Sequence, residues 1–239
     1  MFLKKDNLSK FDFISITDFF LTWILTFLIT VFSFVFLPGF LKKYLFGYSA
    51  FIDSNYFGIF IFFLSSLLSF CVIYFFCCRK RQKSLKEGLF LYPKSFKTIG
   101  LSLLIGVIMP LCTLPIIFKF APEKFYAIDI AKTKDGLIYL FTCALFAPVF
   151  EEIFFRGFFF PFFQSKLNSF WAVVITSLFF GFSHFVNIGS AFILLGLFIF
   201  YGFVLTSIRY LTNSLIPPII THFVHNATLI VGFIIAGSK

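Results

Sequence analysis

Long apolar runs constrain this chain more than any other feature. A bilayer core about 30 Å thick needs roughly 20 apolar residues to be crossed by a helix, since each residue rises about 1.5 Å. Such runs stand near residues 13–40, 56–78, 99–120, 137–160, 188–208 and 215–236, with a shorter one at 170–186. In hydrocarbon the backbone has no water to bond to, so each run must satisfy its own N–H and C=O groups as a helix. The expected fold class is therefore all-α: a polytopic integral membrane helical bundle with about seven transmembrane helices. Composition agrees, with 60% hydrophobic and 13% charged residues, where a soluble domain carries about 25% charged. No repeat or linker divides the chain. Residues 1–136 are read as amino-terminal spans with a basic loop, residues 137–239 as a polar-studded core, and the whole as a single membrane domain.

The formal net charge of +10 is not read as a nucleic-acid signal. The basic residues gather between apolar runs, above all in the stretch from Arg79 to Lys97, where they orient a protein and touch anionic membrane lipid. With that stretch inside the cell, the amino terminus is cytoplasmic. Asp12 and Asp18 suggest that the first run begins along the interface. Pro110 and Pro115 are expected to kink or shorten the third run, because proline lacks a donor. Cys71, Cys77, Cys78, Cys112 and Cys143 show no metal-ligand spacing with a histidine and are read as small apolar filler. The abundance of phenylalanine, 45 residues, is read as compositional bias.

Charges inside the apolar runs need a reason, since one at the centre of a bilayer helix costs about 2.5–3.5 kcal/mol on insertion scales. Glu151, Glu152 and Arg156 lie within one such run. On a helix Glu152 and Arg156 are i,i+4 neighbours and can pair, while Glu151 points about 100° away and is left for other work. All three histidines, His184, His222 and His225, also fall in apolar runs. His222, His225 and Asn226 share one helix face, which should meet a cavity or other polar groups rather than lipid. A carboxylate beside an imidazole can serve as general base for water, and an imidazolium or amide can donate to an oxyanion. The same residues could bind zinc, with Glu151, His184 and His222 as ligands, or relay protons in a transporter.

Three motifs extend the reading. Glu-Glu-x-x-x-Arg at 151–156, Phe-x-x-x-His at 180–184 and His-x-x-x-Asn at 222–226 occur in this order on apolar segments. In this the chain resembles the CAAX-protease and bacteriocin-processing family of intramembrane glutamic endopeptidases, also called Abi, which includes type II prenyl-protein peptidases. The resemblance covers about residues 137–236. It implies a peptidase acting on a membrane-embedded or lipidated peptide, with residues 137–239 as the catalytic part and no cofactor required, zinc being the alternative. It implies that Glu151 activates the water, that His184 assists, and that His222 and Asn226 steady the oxyanion. Glu152 and Arg156 become supporting residues. His225 lies outside the family pattern and is read as a neighbour on the polar face. The implied location is a bacterial cytoplasmic membrane. The competing reading is a non-enzymatic membrane protein: a proton-coupled transporter, or an immunity or partner protein. Nothing in the sequence speaks to oligomeric state.

Two expectations are geometric. Counted along regular spans, His184 and His222 differ in depth by roughly 10 Å, unless the short run at 170–186 is displaced or dips incompletely into the membrane. Pro148, Gly157 and Pro161, around the acidic pair, are expected to loosen the packing and admit water.

Overall fold

The computed structural model describes residues 14–46, 54–120, 133–185 and 192–237. The polar start at residues 1–10 and the loop at 121–132 lie outside the described residues. Every described regular element is helical. Among the described residues, six helices are long and apolar enough to cross a membrane: α1 (Ile16–Tyr44), α2 (Asn55–Arg79), α4 (Phe96–Phe120), α5 (Lys134–Lys166), α7 (Phe192–Thr212) and α8 (Ile216–Ala236). Between them lie a single turn, α3 (Leu85–Gly88), and the 15-residue α6 (Ser169–Ser183). At about 1.5 Å per residue α6 is shorter than the hydrocarbon core. The roughly seven expected spans are thus six of membrane length and one that stops short.

Polar caps set the starts. Ser15, Ser54, Thr133 and Asn168 each accept the N–H of the third residue on, which is the bond a helix N-terminus otherwise lacks. The lipid-facing sides are apolar, with Phe27, Phe32, Val35, Leu101, Leu111 and Phe192 exposed. α4 does not end at Pro110 or Pro115, and both lie inside one 25-residue helix.

The helices pack as neighbours: α6 on α7, α4 on α8, α8 on α5, and the α1–α2 pair on α5. Close approach is built from glycine. A Cβ on Gly181 would strike the Ile199 side chain and lie 3.0 Å from its backbone nitrogen. A Cβ on Gly202 would lie 3.1 Å from the Ser177 carbonyl oxygen. Aromatic rings fill the largest core cluster. Phe19 stacks on Phe162 at 3.7 Å between centroids and also meets Phe158 and Phe159. Cys77 and Cys78 are buried in this cluster as filler.

The basic stretch is itself part of the packed fold. After α3, opened by the reciprocal Ser84–Glu87 capping box, Leu89 and Phe90 are buried. Phe90 adopts φ 56°, a left-handed conformation unusual for a bulky residue. Its carbonyl accepts the Leu215 N–H at 2.9 Å, and Ser214 Oγ donates to the Tyr92 carbonyl at 2.6 Å. The segment therefore plugs the turn between α7 and α8. At its start, Lys80 pairs with Asp18 at 2.7 Å.

Candidate active site

The site begins on α5, where regular helix ends at Glu152 and a π-helical stretch, Ile153–Phe159, follows. The wider stretch rotates the residues after Glu152, and such bulges often mark functional positions. Two prolines frame it, and each strips a donor from a carbonyl one turn earlier. Pro148 leaves the Ala144 carbonyl without its i+4 partner, and Asn226 Nδ2 donates to it from α8 at 2.9 Å. In the π register Phe160 N–H bonds the Phe155 carbonyl, so Pro161 would be the donor to Arg156 O and has no hydrogen. Arg209 Nε on α7 donates there instead, at 3.2 Å. Toward α7 and α8 the expected loosening is absent, whereas toward α1, α2 and α6 the same stretch, with Ala147, Phe150, Glu151 and Phe154, lines a cavity. Side chains from α7 and α8 occupy both freed carbonyls and draw the helices together.

Arg156 is fully buried, and each guanidinium nitrogen donates: Nη1 to Glu152 Oε1 at 2.7 Å, Nε to Thr206 Oγ1 at 3.1 Å, and Nη2 to the Gly202 carbonyl at 3.0 Å. The Phe180 ring lies 4.4 Å from the guanidinium carbon. The i,i+4 pair read from the sequence is formed and sealed from solvent.

Glu152 Oε1 also accepts from His222 Nδ1, at 2.9 Å. With Nδ1 protonated toward the carboxylate, the neutral ring of His222 presents Nε2 as an acceptor. His184, the residue closing α6, follows the same logic: its Nδ1 lies 2.9 Å from the Phe180 carbonyl, which can only accept, so Nε2 carries the lone pair. Phe198 stacks on the His184 ring at 4.4 Å and fixes its plane. Both Nε2 atoms face Glu151 Oε2, at 3.9 Å from His184 and 3.8 Å from His222. Those distances are too long for hydrogen bonds and suit one bridging water. Glu151 Oε2 is buried without a hydrogen-bond partner among the described residues. A buried carboxylate oxygen left unsatisfied is costly, which points to a place for water.

The two neighbouring glutamates are therefore unlike. The Glu152 side chain is 0% exposed and tied to Arg156, whereas Glu151 is 30% exposed. Glu151 and His184 line a cavity of about 510 Å³ between α1, α2, α5 and α6. Phenylalanine is the commonest residue in its walls, with a row of hydroxyls from Thr26, Thr30, Ser65, Ser66 and Ser69.

The structure brings together Glu151, Glu152, Arg156, His184 and His222. The depth mismatch between the histidines is absent: α6 is short, and Glu151 lies as far before the α5–α6 turn as His184 lies after it. Asn226 bonds the α5 backbone, and its described contacts do not reach Glu151. His225 stacks on Tyr201 at 3.8 Å. Sequence reading missed Tyr201, whose buried hydroxyl has no partner among the described residues, and Arg209. The predicted span ended at Ile208, one residue short of that arginine. Among the described residues no group of three or more His, Cys, Asp or Glu is arranged to hold a metal ion.

Residues 133–228 match the family model described as type II CAAX prenyl endopeptidase Rce1-like. Comparison with curated proteins and with solved structures gives no match.

Proposed function

We propose that this chain, a polytopic membrane protein of the CAAX-protease-like kind over residues 133–228, is an intramembrane endopeptidase using glutamate-activated water. The observation that carries the reading is a buried carboxylate oxygen, Glu151 Oε2, that has no hydrogen-bond partner among the described residues and faces two imidazole Nε2 atoms at 3.9 and 3.8 Å.

A water held there donates one hydrogen to Glu151 and the other to an imidazole, leaving a lone pair for a carbonyl carbon. As the C–O bond forms, the carboxylate takes the water's proton, with His184 sharing the load through Nε2. The carbonyl oxygen becomes an oxyanion. In this reading His222 takes up one proton from the medium at Nε2 as substrate binds, so it donates to the oxyanion through Nε2 while Nδ1 stays on Glu152, the second N–H of Asn226 assists, and His222 keeps that proton when the oxyanion collapses. Collapse of the tetrahedral intermediate breaks the C–N bond, and the amine leaves with the proton held by Glu151. Residues 137–239 carry this chemistry, while α1 and α2 wall the cavity through which a membrane-embedded or lipid-linked peptide enters. For a bacterial chain with its basic segment in the cytoplasm, a peptide leader or another membrane protein is the fitting substrate.

The test is cleavage of a mixed membrane-peptide library by the purified protein in detergent, with and without chelator, beside Glu151→Ala and His184→Ala. Chelator-resistant cleavage that both substitutions abolish, with Tm unchanged, is the expected result. Retained activity in Glu151→Ala overturns the assignment. Loss to chelator and recovery with zinc replaces activated water by metal chemistry.

A further inference from the structure

Arg209 is a charged side chain, 1% exposed, whose described hydrogen-bond partners are neutral: the Arg156 carbonyl and Asn213 Oδ1 at 3.3 Å. Its guanidinium lies 4.2 Å from the Phe90 ring and 5.7 Å from Phe160. A buried charge held without a carboxylate is costly, and the proposed chemistry does not use it.

We propose that Arg209 is a positioning residue for the hydrolytic site: from α7 it gives the Arg156 carbonyl the hydrogen bond that Pro161 cannot. The inference rests on the peptidase reading. The π-helical stretch sets the direction of the Arg156 side chain, which clamps Glu152, and Glu152 in turn holds His222 Nδ1. An orphaned carbonyl at Arg156 would be relieved by the stretch rewinding toward regular helix. That would turn Arg156 off Glu152 and shift both glutamates relative to His184. Arg209 blocks this by binding the carbonyl at one end and Asn213, at the left-handed close of α7, at the other. Phe90, from the basic segment, covers its outer face. The charge serves because a cationic donor bonds a carbonyl more strongly than a neutral one.

The proline makes the proposal separable from general packing. Pro161→Ala restores a backbone N–H in register with the Arg156 carbonyl, so it should make Arg209 dispensable. The experiment is a double-mutant cycle of R209M and P161A, measuring kcat, KM and Tm in detergent. R209M should lower kcat roughly 100-fold with KM within about twofold, the signature of misplaced rather than unbound substrate. P161A alone should resemble wild type, and the double variant should recover to within about threefold of P161A in kcat, with Tm restored. A double variant as impaired as R209M overturns the proposal, as does R209M with wild-type kcat. If R209M fails to accumulate, the double variant decides: accumulation with cleavage supports the pairing and failure overturns it. If the wild type cleaves no peptide, the peptidase reading falls, and the Tm cycle alone retains or overturns the Arg209–Pro161 coupling.

Discussion

Two adjacent glutamates show how one residue type takes two roles according to its surroundings. Glu152 faces a buried arginine and an imidazole, whereas Glu151 faces two Nε2 acceptors and a cavity. Removing one partner of a buried pair strands the other charge, at a cost of about 3–5 kcal/mol. Glu152→Ala should therefore lower thermal stability in detergent sharply, while Glu151→Ala should leave Tm near wild type and abolish cleavage. Equal melting temperatures for the two variants would contradict the division of labour. The pairing of Glu152 with Arg156 was legible from i,i+4 spacing. The bond from His222 to Glu152 was not, because those residues are distant in sequence and meet only when α8 packs on α5.

At the scale of elements, prolines and glycines set the geometry. The prolines of α5 create carbonyls that α7 and α8 must satisfy, so a local defect becomes an inter-helix bond. The glycines of α6 and α7 allow the approach that carries His184 to Glu151. Gly181→Ala should push α6 from α7, costing about 1–3 kcal/mol as an overpacked contact does, and should lower kcat by displacing His184. Gly196→Ala, with nothing within 4 Å of the new Cβ, should change neither Tm nor kcat. An unaffected Gly181→Ala variant would show that the α6–α7 contact does not place the histidine. The sequence marked the prolines as breaks, but only the packed neighbours show that each break is repaired.

For the whole molecule, the consequential feature is the cavity between α1, α2, α5 and α6, which leads to Glu151 and His184. Its hydroxyl row belongs to helices outside the matched family segment, and under the proposed function the amino-terminal part would shape what reaches the site. Ser66→Phe, on the α2 wall, should lower kcat/KM by about tenfold, a loss of about 1.4 kcal/mol, with Tm maintained. An unchanged kcat/KM would mean that substrate arrives by another path. The basic segment likewise belongs to the fold, since Leu89 and Phe90 are buried and seal the α7–α8 turn.

The sequence by itself determined the class of fold, because apolar runs of membrane length leave the backbone no partner but itself. It also determined the acidic pair, its arginine and the histidines, because charged and polar side chains inside apolar runs are too costly to be incidental. Their spacing and order carried the family resemblance. Only the tertiary structure decided that the short α6 sets His184 level with Glu151, that Asn226 and Arg209 bond freed carbonyls, and that the basic loop folds inward. Each of these depends on which helix lies beside which, and depth and neighbourhood arise from packing between segments rather than from periodicity within one.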